Sequence, residues 1–128
     1  MAVHALLGLA SIAMALTVVG AALWSVTAAR GSDGRVDHRF AVDRAVLADL
    51  LLLAAAGLVG IVRLVGGSNP ADPLHLVYGP AAILCLPIAI VIGARASPGR
   101  ASRLRRDVWT AAAGIVLVGI GLRLLATG

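Results

Sequence analysis

The chain has 128 residues, 60% hydrophobic and 13% charged, where an average soluble domain has about 25% charged residues; with a mean hydropathy of +0.99, this excludes a soluble globular protein. A net charge of +5 would point to nucleic acid in a soluble chain, but every basic residue is Arg and most flank apolar runs, so the charge is read as orienting a membrane protein. The single cysteine, Cys85, rules out an intrachain disulfide and any metal site built on paired cysteines, and its place within an apolar run predicts a packing role.

A membrane helix takes about 20 mostly apolar residues. The chain therefore supplies four spans, short loops and one domain. The first span is predicted over about residues 4–29. It is longer than a signal-peptide core and no basic side chain precedes it, so it is read as a retained span. The second covers about residues 44–65 after the polar loop 30–43, the third about 74–94 after Gly66 to Pro70, and the fourth about 107–127 after the basic loop 95–106. The fold class is thus all-α, a polytopic four-helix up-and-down bundle in the lipid bilayer.

In that arrangement Arg30, Arg35, Arg39, Arg44, Arg95, Arg100, Arg103, Arg105 and Arg106 share one membrane face, and only Arg63 and Arg123 lie at the other. Basic residues of short loops stay inside, so both termini are expected outside the cytoplasmic membrane. Trp24 and Trp109 then fall near the inner boundary and Tyr78 near the outer one, as interfacial anchors do. Glycines thin the second helix at Gly57 and Gly60 and the fourth at Gly114, Gly119 and Gly121, which predicts close helix packing. Pro80 and Pro87 each remove a backbone donor from the third span and predict a kink unless a neighbour satisfies the freed carbonyls.

Two segments echo each other. His4 to Ser11 and His75 to Ala82 both read H-x-x-x-G-x-A-small, and Gly60 to Leu64 has a counterpart in Gly119 to Leu124, each ending on an Arg (Arg63, Arg123) and a Leu. The bundle can accordingly be read as two repeated helical hairpins, against the alternative that Gly and Ala matches come cheaply in this composition. Parallel first and third spans lie on the diagonal of such a bundle. With neighbouring axes about 8–10 Å apart, that diagonal suits two imidazoles sharing one metal at bonds of about 2 Å.

His4 and His75 are therefore candidate haem ligands. Gly8 and Gly79 would give a flat macrocycle clearance, Tyr78 would stand beside it, and Arg63 and Arg123 could pair with its propionates. The alternatives are solvated histidines at helix ends and arginines that snorkel to headgroups. Asp49, taken to lie about one turn inside the second span, is expected to pair with an inner-loop Arg or with Arg44, with a proton relay as the other possibility. His38 is expected to be solvated. No nucleophile triad, phosphate loop or zinc motif is present, and nothing points to an enzyme.

With Asp72 to Gly79 (DPLHLVYG) and the tail Arg123 to Gly128 (RLLATG) in view, the chain resembles small, little-characterised four-helix membrane proteins of bacteria. In architecture it is similar to one four-helix half of the haem A synthase family and to small b-type membrane cytochromes. The resemblance implies haem b ligated by His4 and His75; with one histidine pair and one bundle, it does not extend to the synthase's activity. The leading expectation is a haem protein for electron transfer or haem presentation near the outer face, with a quinone or a larger respiratory complex as partner. The alternative is a cofactor-free accessory or assembly subunit whose glycine faces at Gly57 and Gly114 pack on partner helices or on a second copy.

Overall fold

A computed structural model describes residues 2–31, 39–67, 75–95 and 100–127, with the side chains of residues 2–5, 29–31, 39, 75, 100–102 and 127 outside the description. It contains four helices, α1 (Ala2–Gly31), α2 (Arg39–Val65), α3 (His75–Ala94) and α4 (Arg100–Thr127). Each carries a stretch long and apolar enough to cross a membrane, Leu6–Ala28, Phe40–Val65, Leu76–Ala94 and Arg103–Ala126. The protein is a multi-pass membrane four-helix bundle.

Two helices start earlier than the sequence suggests. The charges at residues 39–44 and 100–106 look like loop, yet α2 begins at Arg39 and α4 at Arg100. No Gly or Pro interrupts either segment, and Arg is a good helix former. The helices therefore continue out of the apolar layer, with arginines on their first turns. Helix α3 runs unbroken through both of its prolines.

Helix α4 is the spine. It packs most extensively on α1 and next on α3, while α2 leans on α1 and touches α3 least. The diagonals are α1 with α3 and α2 with α4. Glycines set the α1–α4 seam: a Cβ on Gly114 would come within 2.6 Å of Val19 Cγ2, and one on Gly121 within 2.6 Å of Ile12 Cγ1. On the α3 side a Cβ on Gly93 would lie 2.6 Å from the Cα of Arg106. In lipid no hydrophobic force pulls apolar helices together, so such close backbone approach supplies the dispersion energy that does. Gly114, expected to face a partner helix, is instead used within the chain.

The two ends of the bundle differ. Toward the arginine-bearing end the buried core includes Val18, Ala22, Val42, Val46, Leu86 and Ala89. Toward the end where α1 and α3 start, α2 loses its neighbours. Every residue from 58 to 67 is exposed, on all faces of the helix.

Gly114→Leu should overpack the α1–α4 seam and destabilise the protein by about 1–3 kcal/mol. Gly60→Leu, where a Cβ meets nothing within 4 Å, should leave thermal unfolding in mild detergent unchanged. Equal effects of the two would contradict this packing.

Candidate functional site

Four hydroxyls of the spans are satisfied locally. Ser11 donates to the Leu7 carbonyl, Thr17 to Ala13, Thr27 to Trp24 and Thr110 to Arg106, each at 2.9 Å. These back-bonds over one turn are how a helix carries Ser and Thr through lipid. The thiol of Cys85 reaches the Ala113 carbonyl of α4 at 3.7 Å, in keeping with a packing role.

A polar cluster closes the arginine-bearing end. Ser25 of α1 donates to Asp107 Oδ2 of α4 at 2.7 Å in a buried pair. Arg106 reaches across to Asp43 of α2, Nη2 to Oδ1, at 2.6 Å, and Arg44 sits 3.9 Å over the ring of Phe40. Three helices are thus tied at one level by side chains whose charges are mostly paired, the arrangement expected where water meets lipid.

Asp49 departs from its expected role. It lies ten residues inside α2, about 15 Å along the axis from Arg39, because the helix starts earlier than the sequence suggests. It is 0% exposed, and neither carboxylate oxygen has a hydrogen-bond partner. Among the described residues the pairing with an inner arginine is not made: Nη2 of Arg106 is on Asp43, and Arg44 lies over Phe40.

At the other end lie the residues expected to hold a cofactor. The backbones of His4 and His75 belong to α1 and α3, the diagonal pair, at the same end of the bundle; their imidazoles lie outside the described side chains. Tyr78 and Gly79 are half-buried one turn into α3, and Arg63 and Arg123 are exposed at the far ends of α2 and α4. A Cβ on Gly79 would meet nothing within 4 Å, so the space beside α3 is open there. Gly8 differs, since a Cβ there would lie 2.9 Å from Leu125 Cδ2. Its missing side chain makes room for α4.

Register relates the two histidines. Gly8 faces Leu125 and Gly121 faces Ile12, while Gly93 faces Arg106 and Cys85 reaches Ala113. Continued along α4, these contacts bring His75 level with Arg123 and with Ala10 of α1. His4 is then about six residues, roughly 9 Å, nearer the membrane surface than His75. The sequence echo, which pairs His4 with His75, does not coincide with equal depth.

The chain matches no family model, no curated protein and no solved structure. Its own residues carry the functional interpretation.

The buried Ser25–Asp107 bond should matter more than the half-exposed Arg106–Asp43 pair. Ser25→Ala, which leaves a buried carboxylate oxygen without its donor, is expected to cost about 1–3 kcal/mol, and Asp43→Asn about 1 kcal/mol or less. Unfolding followed by circular dichroism in detergent ranks them, and the reverse order would contradict the burial described.

Proposed function

We propose that this protein is a b-type haem protein of the bacterial cytoplasmic membrane, holding haem at the end of the bundle where α1 and α3 begin. In this reading His75 would be the chief residue holding it, with His4 as the second candidate. The observation that supports this is the opening beside α3: α2 is exposed on all faces over residues 58–67, and Gly79 faces empty space. A flat, largely apolar macrocycle needs such a slot, and the apolar side chains Leu58, Ile61, Val62 and Val65 are chemically suited to its face.

The donor set fits the group. Neutral imidazole binds haem iron, and Arg63 and Arg123 offer guanidiniums for two propionates near the headgroups. The clearance fits on α2 and α3. On α1 it is poorer, since Leu125 fills the space at Gly8 and His4 stands nearer the surface, which is why His75 carries the site. When bound, haem supplies one-electron chemistry at a potential set by its axial ligands and burial.

The arginine-bearing end faces the cytoplasm in this proposal. The haem then lies toward the outer face, where a quinone or a larger respiratory assembly would exchange electrons with it.

A second reading is favoured by the same bare stretch of α2. A helix whose residues are all exposed over two turns could seat a helix of a partner protein, making the chain a cofactor-free accessory subunit. Gly60→Leu would then abolish co-purification with that partner while leaving the isolated protein's stability unchanged.

Protein expressed with ample haem should show a Soret band whose reduced spectrum is that of a low-spin b-type haem. His75→Ala should remove it, and His4→Ala should retain haem but convert it to a high-spin, five-coordinate spectrum. A purified, folded protein without any Soret band would contradict the haem reading and favour the accessory one.

A further inference from the structure

The least explained group in the molecule is Asp49. It lies on the buried stripe of α2, with Val42 seven residues before it and Val46 three before, both in the core cluster, and Leu53 four after, packed against that cluster. That spacing places them on one helix face. The carboxyl therefore points into the bundle and away from lipid. It is within about one turn of the middle of the span Phe40–Val65, whereas the ion pair of Asp43 is six residues, about 9 Å, closer to the arginine-bearing end.

Among the described side chains none bonds to it. Helix α1 brings Ser25, whose hydroxyl is committed to Asp107. Helix α3 brings Cys85, bonded to the Ala113 carbonyl, and Arg95 at its far end. Helix α4 brings Arg106, whose Nη2 is engaged with Asp43 while its Nε is buried without a hydrogen-bond partner, together with Asp107 and Thr110. On α2 itself the charged neighbours are Asp43 and Arg44. An isolated carboxylate in such surroundings is strongly disfavoured, and the carboxylic acid is the form that can persist there. Buried ionisable groups in membrane spans face the bundle interior and mark ion or proton paths.

From the Arg106–Asp43 pair at the surface, buried polar groups continue inward: Asp107, 8% exposed, bonded to Ser25, and Thr110 one turn deeper on α4. Asp49 is the next polar side chain toward the middle of the membrane.

We propose that Asp49 is a proton-binding site of the membrane interior, exchanging its proton with water at the arginine-bearing face by way of Thr110 and the Asp107–Ser25 pair. In each exchange the acid loses its proton to the relay and takes one back, with no other bond changed. The site is independent of haem.

Infrared spectroscopy of the protein in lipid vesicles at neutral pH tests this. All six acidic residues are Asp, so labelling with carbon-13 at the aspartate side-chain carboxyl assigns the band. A protonated-carboxyl C=O stretch should be present, shift on transfer to deuterium oxide, disappear in Asp49→Asn and survive in Asp107→Asn with exchange slowed several-fold. Asp49→Glu, which keeps the acid, should keep a shifted band and serves if the Asn variant does not fold. Absence of the band, or its persistence in Asp49→Asn, overturns the site. A band lost in Asp49→Asn that never shifts in deuterium oxide overturns exchange, and an unchanged rate in Asp107→Asn overturns the route.

Discussion

The close approach of α4 to α1 and α3 is the constraint on which the rest depends. Lipid offers apolar helices no reason to separate from it, so the bundle is held by what helix surfaces can do to each other at short range. Here that is glycine against side chain at Gly114 and Gly121, and glycine against backbone at Gly93. These contacts fix the register of three helices on one spine. The depth of every polar residue follows from that register, including the offset between His75 and His4.

Helix α2 is held differently. Its tie to α4 is the Arg106–Asp43 ion pair at one end, and its buried stripe runs from Val42 through Val46 and Asp49 to Leu53 before the helix comes free. The asymmetry separates two chemistries. The closed end excludes lipid and water from a carboxyl that would not survive elsewhere, and the open end leaves room for a large flat group or a partner's helix. The packing of α2 at one end only thus creates both candidate sites.

Much of this was legible in the sequence. Four apolar runs, separated by arginine-rich and glycine-rich breaks, specify four spans, and the diagonal placement of α1 and α3 follows from an up-and-down order with short connections. The start of α2 was not legible, because a run of charge reads as loop until the absence of any helix breaker between Arg39 and Arg44 is weighed. The isolation of Asp49 was hidden for a related reason: spacing along the chain put Arg44 nearby, but rotation about the helix axis turned that arginine toward Phe40 and left Asp49 on the core face. The depths of His4 and His75 could not be read from their matching motifs, since the equal spacing of an echo says nothing about how far one helix slides along another. Glycine positions were visible, but whether each served the chain or a partner required the packed seam.

Helix α2 is buried along one face at the arginine-bearing end and exposed on every face at the other. Nitroxide labels placed one at a time along residues 42–65, in a Cys85→Ala background and without added haem, measure oxygen accessibility in lipid vesicles at each position. The account predicts a helical periodicity, with minima at residues 42, 46 and 49, that gives way to uniformly high accessibility from residue 58 onward. A periodicity that continues undiminished to residue 65 would mean that the helix is covered along its whole length, and would contradict it.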